Sequence, residues 1–236
     1  MLVLTLIRRC ILFIVTTSLF FSLSLSVFAE GGISIQGTRI IYPQDSRQES
    51  IALRNSSAKE SFLVQSWIEN ADGKKSQDFV VTPPLYLSGP KNENVLRLVF
   101  TGSNSRRDKE SLYYFVSKAI PSVDKKDSSG KSVIRIAAAS RIKLFVRPPN
   151  LEVKPEKAVA ELSFKRINNK IEITNPTPYY ITMTDIKNNG KSLSGIMVPP
   201  VDTVLIDTLS NSGSTLTFST INDSGAISKP VSVSIK

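Results

Sequence analysis

No stretch of residues 30–236 carries a sustained helical apolar period, and this restricts the chain to β architecture. Short runs rich in Val, Ile, Thr and Phe alternate instead with clusters of Gly, Pro, Asn, Asp and Ser. Strands are predicted near 33–36, 38–43, 50–54, 61–69, 79–81, 94–100, 112–120, 133–146, 160–166, 170–174, 179–186, 203–206, 215–221 and 229–235. Asp72-Gly73 and Asn189-Gly190 read as hairpin tips, because both steps favour the positive φ of tight turns. Many short strands at this spacing predict an all-β chain built of sandwiches. No internal sequence repeat is seen.

Arg147-Pro148-Pro149-Asn150 is the best interior boundary, since two adjacent prolines end a strand and stiffen a hinge. The expected organisation is a domain over 30–147, a hinge over 148–150 and a second domain over 151–236. Residues 1–29 read as a secretory signal that is removed. Arg8 and Arg9 supply the positive start, no charge follows from Cys10 to Ala29, and Val27 and Ala29 suit a signal-peptidase site. An exported chain that is not membrane-embedded after cleavage is therefore expected.

Composition then removes most catalytic chemistry. The chain has no histidine, and its single cysteine, Cys10, lies in the segment to be cut off. Ser-His-Asp and Cys-His sites, disulfides and Cys- or His-held metals are all excluded in the mature chain. Neither a cofactor nor an enzyme activity is expected. Cleavage takes away two arginines and no acid, lowering the net charge from +10 to +8. Such a surface suits acidic partners or carboxylates. Nucleic acid is disfavoured by the compartment and by the scatter of the basic residues.

Two features stand out. In Ser132–Arg147, period-two alternation places Ile134, Ile136 and Ala138 on one face. Taken alone the run suits an inner sandwich strand, but it also suits an edge strand waiting for a partner, and exposed apolar edges are hazardous unless something binds them. Arg39 and Lys143 each interrupt an apolar strand-like run. Singly, each would point to solvent; converging between two domains, they would form a carboxylate site, Arg by a forked pair of bonds and Lys as a point charge. Lys143 has the opposite parity to Ile134, Ile136 and Ala138, so either a bulge intervenes or the two features serve different faces. Trp67 is expected in the core, and Thr82-Pro83-Pro84 as a rigid turn that can hold a cis bond.

Eight strings in order carry a resemblance. They are Gly37–Pro43, Leu63–Ile68, Thr82–Leu85, Lys109–Tyr114, Lys118–Pro121, Ser140–Pro148, Asn175–Tyr180 and Ile221–Gly225. Over residues 33–236 the chain resembles the PapD-like periplasmic pilus (fimbrial) assembly chaperones. The resemblance implies two immunoglobulin-like β-sandwich domains in a boomerang arrangement. It implies a periplasmic chaperone that binds fimbrial subunits, donates an edge strand to them and passes them to an outer-membrane usher. By motif, Arg39 and Lys143 resemble the cations that anchor the C-terminal carboxylate of a bound subunit. Ile134, Ile136 and Ala138 match the donor residues, and Glu110, Arg147 and Asp223 match an interdomain charge network. Ala138 is smaller than the bulky residue expected at the third donor position. The absence of a mature cysteine pair and a moderate loop before Val133 resemble the short-loop group. The competing readings are a surface or fimbrial structural protein, which would usually carry a disulfide, and an exported hydrolase, which the absence of His and mature Cys disfavours and for which spacing leaves Asp/Glu pairs open although no run suggests them.

Overall fold

A computed structural model describes residues 31–102, 106–122, 136–208 and 213–236. The signal segment 1–29, donor candidate Ile134 and most of the loop before Val133 lie outside those residues.

The first half is two sheets face to face. One holds β1 (Ile33–Ile35), β3 (Glu49–Asn55), β7 (Glu93–Phe100) and β5 (Phe79–Thr82), in the order β1-β3-β7-β5. The other holds β2 (Arg39–Pro43), β9 (Ala138–Arg147), β8 (Ser111–Pro121), β4 (Phe62–Asn70) and β6 (Leu85–Ser88), in the order β2-β9-β8-β4-β6. Alternation explains the layering. In β4, Phe62, Val64, Ser66 and Ile68 are buried, while Leu63 and Gln65 are exposed. Leu53, Val64, Leu96, Leu98, Phe115 and Leu144 are wholly buried between the sheets. Each such side chain contributes roughly 1.5–3 kcal/mol against leaving it in water. Tyr42, also wholly buried, packs edge-on to Phe79 at 5.6 Å and donates its hydroxyl to the Ser46 carbonyl at 3.0 Å.

The second half repeats the layering. β10 (Ser163–Ile167), β11 (Lys170–Asn175) and β15 (Asp202–Asp207) form one sheet. The other is β13 (Lys191–Ser192), β12 (Ile181–Asn188), β16 (Thr215–Thr220) and β17 (Val231–Ser234), with β14 (Ile196–Val198) also on β12. A second core, centred on Ile171, Ile173, Ile186, Leu216 and Phe218, lies between them.

The two halves share one device. Asn55 ends β3 and Asn175 ends β11, and both are fully buried. The Asn55 amide donates to the carbonyls of Glu60 and Gly89, both at 2.8 Å, and its Oδ1 accepts the Ser57 N–H. The Asn175 amide donates to Tyr179 at 2.7 Å and Pro199 at 2.8 Å, and its Oδ1 accepts the Thr177 N–H.

Several expectations are corrected. Residues 160–162 are not strand. A single-turn helix α1 (Pro155–Ala158) and a 3-10 turn (Val159–Glu161) occupy that stretch, started by a proline whose missing N–H costs nothing there. β6, β13 and β14 have no counterpart among the predicted strands; they are only four, two and three residues long. Trp67 does not sit in the core. It shares the outward parity of Leu63 and Gln65, and its Nε1–H donates to Glu69 at 3.0 Å. Thr82–Pro83 is cis.

Candidate functional site: two cations at the end of an open strand edge

β2 runs parallel to β9, in the register Arg39↔Lys143 through Pro43↔Arg147. Parallel neighbours in register present like positions to one side. Ile40 and Tyr42 join Leu144 and Val146 in the core, so Arg39 and Lys143 emerge together on the other face. The β8–β9 pairing from Ala119↔Ala138 to Ser111↔Val146 is unbroken, so no bulge separates Ala138 from Lys143. Ala138 therefore lies on the core-side parity with Ile142 and Leu144, and Lys143 on the opposite one. The two features serve different faces of one strand.

β9 also resolves the choice between inner and edge strand, because it is both. Residues 143–146 are covered by β2 on one side and β8 on the other. Residues 138–142 pair with β8 alone among the described strands. Ala138 opens β9 and is exposed, and Ile136 precedes the strand with 78% of its surface in solvent.

Arg39 donates from Nη1 to the Ile221 carbonyl at 2.9 Å, and its Nε is buried with no hydrogen-bond partner. Lys143 Nζ donates to the Thr182 hydroxyl at 3.3 Å. Neither cation has a carboxylate within 4.0 Å among the described residues. Burial lowers the pKa of Arg39, partly offset by the charges of Asp223 and Glu110. Burial also lowers that of Lys143, and the neighbouring Arg39 charge adds to the effect. Both cations are thus held in a setting that disfavours their charge, which an incoming anion would relieve.

The nearby acids are already engaged. Arg147 Nε donates to Glu110 Oε1 at 2.7 Å, and its two Nη atoms bind Asp223 bidentately at 2.6 and 2.8 Å. Glu110, only 3% exposed, also accepts the Tyr180 N–H at 2.8 Å. Burial pushes the Glu110 carboxyl up, while the Arg147 charge and the Tyr180 N–H pull it back. For Arg147, burial opposes the charge, but its bonds to Asp223 and the nearby Glu110 outweigh it and raise the pKa. Arg39 and Lys143 are thus left without a paired acid among the described residues, beside a cleft that also holds Glu156. Its cavity of about 530 Å³ is lined by Arg39, Glu110, Phe145, Arg147, Tyr180 and Asp223 among others, whereas Lys143 lies outside those walls.

The structure thus brings Arg39 to Lys143, and Glu110 to Arg147 and Asp223. It also reveals contacts with no sequence signal of their own: the Ile221 carbonyl, the Thr182 hydroxyl and the Tyr180 N–H. A further one is Gly225, where φ is +84° and an added Cβ would overlap the Thr38 hydroxyl.

Two family models cover nearly all of the described chain: pili and flagellar-assembly chaperone, PapD N-terminal domain, over residues 32–152, and pili assembly chaperone PapD, C-terminal domain, over 157–232. The chain belongs to the pilus assembly chaperones. Its relatives agree. The chaperone is 42% identical over 205 residues to the probable fimbrial chaperone SfmC of Escherichia coli K12, covering 87% of this chain and 89% of that protein. It is similar to the crystal structure of the periplasmic chaperone SfaE, at 42% identity and a TM-score of 0.75, over 85% of this chain and 98% of that one. It is also similar, at 26% identity and a TM-score of 0.78, to a structure of the Salmonella enterica SafA pilin in complex with the SafB chaperone, over 86% of this chain and 96% of that one. The chaperone thus serves fimbrial subunits as a non-enzymatic assembly factor with a two-domain β fold.

Proposed function

We propose that the chaperone captures a fimbrial subunit by pairing the free edge of β9 with the last strand of that subunit and binding its terminal carboxylate at Arg39 and Lys143. One observation carries this reading: among the described residues, the two cations stand side by side without an acid of their own, where the stretch of β9 paired by β8 alone meets β2. A strand continuing the line of β2 into the gap would run parallel to β9 and end at Arg39. Its carboxylate would then lie between two desolvated cations, and each charge-assisted bond is worth roughly 1.5–3 kcal/mol. Ile134, Ile136 and Ala138 are the donor residues, and the exposure of Ile136 supports that role because the side chain has no core to fill in the free protein.

By the pattern of the family, residues 1–29 are a cleaved signal, the chaperone works in the periplasm, and an outer-membrane usher receives the loaded complex. Glu110, Arg147 and Asp223 hold the domains 30–147 and 151–236 about the hinge 148–150. The bonds from Arg147 at the end of β9 to Asp223 in the loop after β16, and from the Tyr180 N–H to Glu110 just before β8, support that role.

The test is periplasmic co-expression with a fimbrial subunit and one-to-one pull-down. Arg39→Ala and Lys143→Ala should each abolish capture with an unchanged melting temperature. Undiminished capture by both would discard the anchor. Ile136→Asp should also lose capture at unchanged stability, and a large drop in melting temperature would return that residue to the core.

A further inference from the structure

Across the mouth of the first sandwich, the chain changes sheets. Ile33–Ile35 pairs with β3, while Arg39–Pro43 pairs with β9 in the opposite sheet. The crossing uses Gly37, whose φ of +140° disfavours a side chain. The two sheets therefore part along the free edge of β9, and a recess of about 230 Å³ opens between them. Ile33, Ile35, Phe62, Ser117, Ala138 and Ser140 line it.

Two details show a recess that is built but left unfilled by the described residues. The β9 residues at its rim, Ala138 and Ser140, are small and carry the inward parity of Ile142 and Leu144. Ser117, directly opposite Ser140 in the β8–β9 register, is 3% exposed, and its Oγ is buried with no hydrogen-bond partner. A buried hydroxyl without a partner is uncommon in a completed core. An apolar cavity of about 150 Å³ already holds a benzene ring, so this one has room for an aromatic or leucine-sized side chain.

We infer that the recess receives one large apolar side chain from the strand that pairs with β9, and so selects among the carboxyl-terminal tails that fimbrial subunits present. This rests on the strand-pairing reading above. A parallel strand extending the line of β2 points every second residue inward, on the side of Ile40 and Tyr42. The positive charge of Arg39 and Lys143 complements its carboxylate and fixes its end. When the last residue stands opposite Ile142, the third and fifth from the end stand opposite Ser140 and Ala138 and face the recess.

The probes are fluorescein-labelled ten-residue peptides with alternating apolar residues and a free carboxylate, carrying Phe, Leu or Ala at the third and fifth positions from that end. Anisotropy titration on the intact mature chain reads affinity. The Phe or Leu peptide should bind at least about tenfold more tightly than the Ala peptide, the loss expected for one buried apolar side chain. Ser140→Leu, which fills the recess from within, should erase that difference without weakening the Ala peptide. Ser140→Val should narrow it, and serves if Ser140→Leu melts early. Carboxylate-dependent binding with no preference for the large side chain, or a preference that survives both variants, overturns the recess alone. Equal binding of an amidated peptide, or no binding of any peptide, overturns the strand-pairing reading and the recess with it.

Discussion

Arg39 stands opposite Lys143 in the parallel pairing of β2 with β9, and neither has a carboxylate within 4.0 Å among the described residues. Burial and the Arg39 charge hold Lys143 below its ordinary pKa of 10.5. The sign differs for the two properties it touches. Carboxylate capture needs the ammonium, so affinity for a free-carboxylate peptide should fall as pH climbs toward 10.5, starting at lower pH than for an ordinary lysine. Stability should move the other way. The unfolded chain keeps this proton to higher pH than the folded one, so unfolding free energy gains from Lys143 across the same window. Lys143→Arg should flatten the affinity profile, because guanidinium stays charged. Titrations from about pH 7 to about pH 10 check it, and a wild-type profile as flat as that of the variant would remove Lys143 from the anchor.

Arg147 is the only described partner that neutralises the buried Glu110 carboxylate. Arg147→Ala strands that charge and frees Asp223, and should cost about 3 kcal/mol in urea unfolding. Replacing both, as Arg147→Met with Glu110→Leu, should recover most of the loss, since the uncompensated charge is then gone. A double variant no more stable than Arg147→Ala would show that the bonds themselves, not the stranded charge, set the cost.

Gly225→Ala meets two obstacles, a φ of +84° and the Thr38 hydroxyl. A loss of roughly 1–3 kcal/mol is expected from the backbone alone. Thr38→Ala should restore the share that comes from overlap. Because the loop 221–226 also carries the Ile221 carbonyl and Asp223, peptide capture should weaken along with stability. Thermal melts and anisotropy on the single and double variants separate the two.

Asn55→Ala and Asn175→Ala each leave carbonyls without their donor. A loss of about 2–4 kcal/mol is expected for each, in the range for unsatisfied buried groups. Asn→Asp at either site should be no milder, because a carboxylate would face the carbonyls that the amide satisfied. Equal stability of the Asp variants and the wild type would mean that other donors reach those carbonyls.

Strand alternation made most of the fold legible: β2 to β5, β7, β8, β11, β12, β15 and β16 lie where the apolar runs predict. Hairpin steps and the proline pair marked the punctuation between them. What stayed hidden was set by contacts far apart in sequence. Trp67 followed its parity outward, and no composition rule ranks that parity above the usual burial of tryptophan. The short strands β6 and β14, of four and three residues, are too brief to show an alternation. At the cleft, the residue types of Arg39 and Lys143 were readable, but their side-by-side placement needed a parallel pairing between strands about a hundred residues apart. The shared asparagine device shows the same limit. Similar geometry in both halves leaves no trace as a sequence repeat, because it uses one side chain and distant carbonyls.

The crossing at Gly37 has one more consequence. Because β2 starts at Arg39, the gap beside β9 spans the five residues 138–142, a length of roughly 16 Å at the rise of a strand. On the proposed reading, a terminal carboxylate docked at the end of that gap would turn it into a ruler with a fixed zero. Only a chain that keeps about five residues extended before its terminus can lie flat along it, so tails that turn earlier are measured out before any side chain is compared.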